Sequence, residues 1–182
     1  TVLSLRSGQI VRVSAEQLGF YFRGSALSGS HVVLSVRMKT ALQDSAIGTA
    51  EINAVVGWRR EHQPGGRNAG SVFVNPGAGD ESAGALIDAA GLRGFTIGAV
   101  SVSEKHANFI QAGEGSTAAE IAAVMSHVQS TVEDVHGIRL YSEVCLVGFS
   151  ADLMTRFSHP SHSSEPHVAA KKNLQVLLGE RA

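Results

Sequence analysis

The chain has one cysteine, Cys145, in 182 residues. No internal disulfide can form, and a reducing, cytoplasmic compartment is the expectation. Charge of either sign is also scarce. Fifteen Lys and Arg against sixteen Asp and Glu leave a formal net charge of −1. No basic stripe breaks that balance, which argues against a nucleic-acid or membrane-surface partner. No apolar run nears the roughly 18 residues that cross a bilayer. The opening Thr1-Val2-Leu3-Ser4-Leu5-Arg6 lacks the apolar centre of a secretory signal. Aromatics are few, with seven Phe, two Tyr and one Trp against twenty Gly, so turns and close backbone approaches are expected. No metal site is expected either. His159, His162 and His167 crowd the tail without a carboxylate or cysteine framework. What the chain does have is a hydrophobic fraction of 43%, enough for one good domain or two small ones.

In chain order, residues 1–18 read as two short strands around the turn Ser7-Gly8-Gln9. Opening in mid-strand without a starting Met, the chain reads as the later part of a longer protein. Phe20-Tyr21-Phe22 then delivers a cation, Arg23. Its stem either covers the aromatics at the surface or holds a guanidinium near an electron-rich ligand. His31 to Met38 predicts a strand, and residues 43–60 a helix anchored by Ile47, Ala50, Val55 and Trp58. Glu61-His62-Gln63-Pro64-Gly65-Gly66 breaks that pattern and marks a domain boundary after residue 62. His62 reads as a loop histidine or an anion-binding one. Ser82 to Ala90 predicts a short helix, residues 95–103 a strand interrupted at Gly98, and Ser116 to Val135 a long helix. Thr117-x-x-Glu120 opens that helix as a capping box. Residues 138–148 predict a strand carrying an acid, Glu143, and a packing cysteine, Cys145. From residue 150 the composition shifts: 157–167 reads as a linker and 168–179 as a short helix.

The residues with the most chemical promise run from Asn68 to Pro76: Asn-Ala-Gly-Ser-Val-Phe-Val-Asn-Pro. Ala69 and Gly70 leave room for something bulky against the backbone. Val72, Phe73 and Val74 favour a strand, which Pro76 stops because it has no N–H to donate. Ser71 is thus either a strand-edge serine bonded to its own backbone or a rigidly held hydroxyl facing a cavity. A hydroxyl is a poor acid, and becomes useful when the site fixes it beside a short-lived, strongly basic carbon. Downstream, Ser103-Glu104-Lys105-His106-Ala107-Asn108-Phe109-Ile110 is either a polar turn or a holder for phosphate or sugar through Lys105, His106 and Asn108.

These pieces occur in a fixed order: Phe22-Arg23-Gly24-Ser25, Gln63-Pro64, 68–76, Ala83 to Gly94, 103–110, then Glu143-Val144-Cys145-Leu146-Val147-Gly148. Over residues 18–149 the set resembles the UDP-N-acetylenolpyruvoylglucosamine reductase (MurB) family, compact type. The resemblance implies an α+β fold: residues 1–62 as the end of an FAD-binding domain, 63–142 as a substrate-binding domain, 143–149 as a strand returning toward the flavin, and 150–182 as a tail. It implies an oxidoreductase in which NADPH reduces FAD. The flavin then reduces UDP-N-acetylglucosamine enolpyruvate to UDP-N-acetylmuramate for peptidoglycan synthesis. By resemblance Ser71 is the proton donor, and Arg23 and Glu143 polarise the enolpyruvyl carboxylate. His62, Gln63, Asn75, Lys105 and Asn108 fall with the substrate, and Arg23 and Gly70 with the cofactor. His62 and Val74 stand where many members carry lysines. The family's Gly-Ser-Asn phosphate loop is not among these residues, so a missing N-terminal FAD-binding region is the implied partner. The alternative is an isolated UDP-sugar-binding module without redox activity.

Overall fold

The computed structural model describes residues 1–21, 24–77, 81–158 and 165–180, with backbone only for 165–167. The fold is α+β, as expected, and divides into two units. A central unit spans Gln43–His159, and a terminal unit joins Thr1–Leu42 with Pro160–Ala182.

In the terminal unit, β1 (Val2–Ser4) pairs antiparallel with β2 (Ile10–Val11) and with β3 (His31–Val33), in the order β2-β1-β3. The expected strand from His31 to Met38 is therefore three residues long. Beyond it, Leu34 N–H donates to the Thr1 carbonyl at 3.0 Å. The small core of this unit is Val2, Ala26, Leu174 and Leu178. Leu174 comes from the C-terminal helix and Leu178 from the turn that follows it.

The central unit opens with α1 (Ser45–His62), capped by Asp44, whose carboxylate accepts from Ala46 N–H. None of its residues is buried, so the expected anchors Ile47, Val55 and Trp58 are exposed. Then α2 (Ala83–Ala89) buries Ala83, Leu86 and Ile87. The expected strand over 95–103 is a hairpin: β4 (Thr96–Ile97) turns at Gly98 into β5 (Val100–Val102), which pairs with β6 (Ile110–Ala112). Gly98 has φ 57°, so the backbone conformation favours glycine there, and an added Cβ would push aside the end of the Glu120 side chain.

Helix α3 (Ala118–His136) lies across this sheet. The capping box forms as the motif predicts. Thr117 Oγ1 accepts from Glu120 N–H, and Glu120 Oε2 accepts from Thr117 N–H. Gly137, at φ 68°, ends the helix in the left-handed conformation. Val124, Met125, Val128 and Val132 face inward against Val100 and Val102. Gln129 sits fully buried on the same face. Its Nε2 donates to the carbonyls of Leu140 and Arg156, and its Oε1 accepts from Arg156 Nε at 3.0 Å.

Two expectations fail beyond α3. Residues 138–148 form no regular strand, only a single bridge at Ser142. Phe157, expected to open a linker, ends α4 (Ala151–Phe157) and is buried in the core with Phe73, 6.5 Å between ring centroids. The last helix, α5 (Glu165–Leu177), starts three residues before the short helix expected at 168.

Candidate functional site

The stretch 71–74 lies between two other segments of the central unit. On one side Ser71 bridges Phe109, and Val72 N–H donates to the Asn108 carbonyl at 2.9 Å. On the other, Phe73 bridges Ser142, Glu143 N–H donates to the Val72 carbonyl at 2.8 Å, and Val74 N–H donates to the Tyr141 carbonyl. Three sequence-distant motifs thus lie side by side, and the backbones carrying Ser71 and Glu143 are neighbours. Val72 and Phe73 are buried, which anchors the middle segment while leaving Ser71 half-buried at its start.

Among the described residues the Ser71 hydroxyl makes no hydrogen bond, to its own backbone or elsewhere. The local reading of that serine, a side chain spent on its own turn, does not apply. The turn before it is made by Asn68 instead, whose Oδ1 accepts from Gly70 N–H at 3.0 Å. Gly70 has φ 80° with nothing within 4 Å of an added Cβ. Its glycine is favoured by backbone conformation rather than by crowding.

Asn108 is the structural hinge of this arrangement. It is buried, its Nδ2 donates to the Phe73 carbonyl at 2.8 Å, and its Oδ1 accepts from Phe73 N–H at 2.9 Å. The amide imitates a neighbouring strand, satisfying both backbone groups of Phe73. Its loop is held in turn by Ser103, buried, whose hydroxyl accepts from Lys105 N–H and His106 N–H. His106 Nδ1 accepts from Asn108 N–H at 3.2 Å and its ring meets Phe109 edge-on. Burial holds the His106 imidazole below its ordinary value, so it is neutral with the proton on Nε2. Ser103 was legible only as one more polar residue of the loop; its spacing of two and three from the N–H groups it caps is the signal that could have singled it out.

The other predicted residues scatter around a second feature. Gln63 ends α1, its N–H donating to the Arg59 carbonyl, and lines a cavity of about 320 Å³ with Arg59, Arg60 and Lys105. Lys105 is exposed and its Nζ donates to the Arg60 carbonyl. It also borders a cavity of about 470 Å³ with Thr96, Ser101, Ser103 and Gln111. Ser101 sits between the buried Val100 and Val102, so strand alternation turns it to the polar side of the sheet. That alternation could have revealed this cavity from sequence. His62 is exposed, stacked on Trp58 with centroids 4.6 Å apart, and its Nδ1 donates to the Trp58 carbonyl. Asn75 is exposed; its Oδ1 accepts from Ala83 N–H and so ties the end of the serine stretch to the start of α2. It lines a separate cavity of about 330 Å³ with Arg139 and Tyr141. Glu143 is half-buried beside Ser71's segment. Arg23 and Phe22 lie outside the described residues. Among the described residues no group of His, Cys, Asp and Glu could hold a metal ion, and no helix is long and apolar enough to cross a membrane.

A small α+β unit, with a hydroxyl and a carboxylate on adjacent segments and separate cavities bordered by Gln63, Lys105 and Asn75, fits the class of a ligand-binding domain. Comparison with known proteins names it: the model of the UDP-N-acetylenolpyruvoylglucosamine reductase C-terminal domain matches residues 62–147, and the chain carries that family's C-terminal domain. A UDP-N-acetylenolpyruvoylglucosamine reductase of Heliobacterium modesticaldum is 41% identical over 145 residues, covering 79% of this chain and 46% of the relative. One from Synechococcus is 39% identical over 155 residues, covering 84% and 50%. The crystal structure of the reductase from Thermus caldophilus superimposes with a TM-score of 0.64 at 29% identity, covering 76% of this chain and 50% of that one. The chain spans about half the length of the curated relatives it matches.

Proposed function

We propose that this chain supplies the substrate-handling half of an NADPH- and FAD-dependent reductase acting on UDP-N-acetylglucosamine enolpyruvate, and that Ser71 is its proton donor. The observation that carries the reading is the pairing that sets Glu143 beside Val72 and so beside Ser71. Reduction of an enol ether needs a hydride at one alkene carbon and a proton at the other. The flavin, when bound, supplies the hydride it has received from NADPH. Negative charge then accumulates on the carbon next to the carboxylate. The Ser71 hydroxyl gives its proton to that carbon, forming the C–H bond as the O–H bond breaks, and regains a proton from solvent. Arg23 and Glu143 polarise the carboxylate and lower the barrier. Asn108 acts on the reaction through Phe73, by fixing the segment that carries Ser71. Lys105 and Gln63, with the cavities they line, suit the diphosphate and sugar. Asn75 and His62 complete the substrate contacts in this reading.

The open space over Gly70 suits a flat ring against the backbone. Arg23 is the second residue of this chain that would hold the cofactor, and the phosphate-binding loop must come from elsewhere. The test is a pair of single-turnover measurements on protein completed with its N-terminal half. Ser71→Ala should leave flavin reduction by NADPH at the wild-type rate and slow reoxidation by the enol ether by about 10²- to 10⁴-fold. Normal reoxidation in that variant would remove Ser71 from the proposed role.

A second reading, a UDP-sugar-binding module, draws on the self-contained core of the central unit. Calorimetry with UDP-N-acetylglucosamine on the 182-residue chain discriminates: saturable heat without flavin supports a module, and no heat rejects it.

A further inference from the structure

The segment 140–143, which ends in Glu143, is gripped along both edges. One edge pairs with residues 72–74: Glu143 N–H donates to the Val72 carbonyl and Val74 N–H to the Tyr141 carbonyl. These bonds flank a single bridge, and so small a patch of sheet is marginal by itself. Among the described residues the opposite edge has no strand beside it. There the Leu140 carbonyl accepts from Gln129 Nε2 at 2.7 Å, and Ser142 N–H donates to the Phe157 carbonyl at 2.9 Å. Gln129 is fully buried on the inward face of α3, among Met125, Val128 and Val132. An amide in such a place costs free energy unless its polar atoms find partners. Here Nε2 also donates to the Arg156 carbonyl at 3.3 Å, and Oε1 accepts from Arg156 Nε at 3.0 Å. Arg156 Nη2 donates to the Ser126 carbonyl at 3.3 Å, which fastens the guanidinium to α3 about a turn before Gln129.

We propose that Gln129 is a positioning residue for Glu143, and that Arg156 and Phe157, at the end of α4, complete the clamp. The proposal rests on the reductase reading for what Glu143 does, and on hydrogen bonds alone for the clamp. Packing does not call for an amide at this place, since Val124, Val128 and Val132 fill the same face without one. The amide's donor instead meets a backbone carbonyl three residues before Glu143. Phe157 holds the pairing from both sides. Its ring is buried in the core with that of Phe73, while its carbonyl holds Ser142, the residue that bridges Phe73. The match to the family's C-terminal domain ends at residue 147, and α4 begins at Ala151. Gln129 therefore lies inside the matched stretch, and the end of α4 lies beyond it. A helix outside the match sets the backbone of a residue within it. Gln129 reaches the reaction only through that backbone, yet a shift of about 1 Å in a group that polarises the substrate can cost about 10²-fold in rate.

Two variants test the clamp. Gln129→Met nearly keeps the volume and suits a helix, but has no N–H for the Leu140 carbonyl. Arg156→Gln keeps the backbone of α4 and removes only the guanidinium that orients the amide. Arg156 is exposed, so this variant decides the matter even where Gln129→Met does not fold. The first readout is amide exchange in the 182-residue chain. In Gln129→Met the Ser142 and Glu143 N–H groups should exchange about tenfold faster, the worth of about one hydrogen bond, while those of Val124 and Val128 in α3 keep their wild-type rates. The second is single-turnover kinetics on protein completed with its N-terminal half. Flavin reduction by NADPH should be unchanged. The limiting rate of reoxidation by the enol ether should fall by about tenfold or more at an unchanged half-saturating concentration. Arg156→Gln should move both readouts in the same direction by less. Wild-type exchange at Ser142 and Glu143 in Arg156→Gln and in folded Gln129→Met would overturn the clamp. Faster exchange there with wild-type reoxidation would overturn the positioning role and leave the reductase reading standing. A wild-type protein whose reduced flavin is never reoxidised by the enol ether would sink the reductase reading, and the role of Glu143 with it, while amide exchange still decides the clamp.

Discussion

Asn108 does more for this site than its place in a polar loop suggests. Two side-chain hydrogen bonds to one buried residue, Phe73, set the segment that carries Ser71. Removing them strands a buried N–H and C=O, and each orphaned group costs about 1–3 kcal/mol. Asn108→Ala should therefore lower stability by about 2–4 kcal/mol, read from a denaturant midpoint at unchanged m-value. An Asn108→Ala chain as stable as wild type would remove its structural role. His106 gives a second residue-level outcome. Its folded pKa is depressed by burial, so the unfolded chain binds the proton first as pH falls. The stability it contributes is complete above the ordinary histidine value of about 6.5 and is lost as pH falls through the lower folded value. His106→Gln should flatten that part of the melting-temperature profile, measured by calorimetry across the weakly acidic range. The identities of Ser71 and Glu143 could be read in the chain as a hydroxyl after small residues and an acid in an apolar run. Their adjacency could not, because it is made by backbone bonds from residue 72 to 143 that no local pattern encodes.

Elements with a dense local signal were legible. The capping box, the 3.6-residue apolar period and the glycine stop of α3 all act within one or two turns, and the helix forms where they predict. Thr117→Ala should cost about 1 kcal/mol by urea unfolding, since it removes the hydroxyl that accepts from Glu120 N–H while the backbone N–H at 117 still donates to Glu120. The failures share a cause: tertiary bonding overrides propensity. Residues 138–148 alternate like a strand, yet their partner is the three-residue segment 71–73, too short for a ladder. The apolar residues of α1 follow a helical period, yet none is buried among the described residues. Phe157 sits in a Ser- and Pro-rich neighbourhood but completes the core beside Phe73. In the terminal unit, α5 is fastened by chemistry at its end. Glu180 Oε1 accepts from the Ser4 hydroxyl at 2.6 Å and from His31 Nε2 at 3.0 Å, while Ser28 N–H donates to His31 Nδ1. The Ser4 bond, opposed by burial and aided by His31, holds the Glu180 carboxyl below the usual range. Its contribution is present above the ordinary glutamate value and is lost as pH falls through the depressed one. Glu180→Gln should remove that acid-dependent loss from the hydrogen-exchange protection of β1; an unchanged profile would contradict the fastening.

At the scale of the molecule, the two units bury cores of very different size. The central unit buries a continuous core from Val72 to Phe157, and it contains the stretch matched to the reductase C-terminal domain. Among the described residues the terminal unit has four core residues, Leu174 from α5 and Leu178 just beyond it among them. The α+β class and the family could be read from ordered motifs because those motifs lie mostly in the central unit, around its large core. The bare face of α1 could not, since exposure depends on what is absent from around it. The most direct test of the account is the absorbance of flavin in the 182-residue chain assembled with an N-terminal reductase portion. Under anaerobic conditions NADPH should bleach the flavin band, and UDP-N-acetylglucosamine enolpyruvate should then restore it, with neither polypeptide alone completing the cycle. A bleached flavin that the enol ether fails to reoxidise, in an assembly shown to be intact, would contradict it.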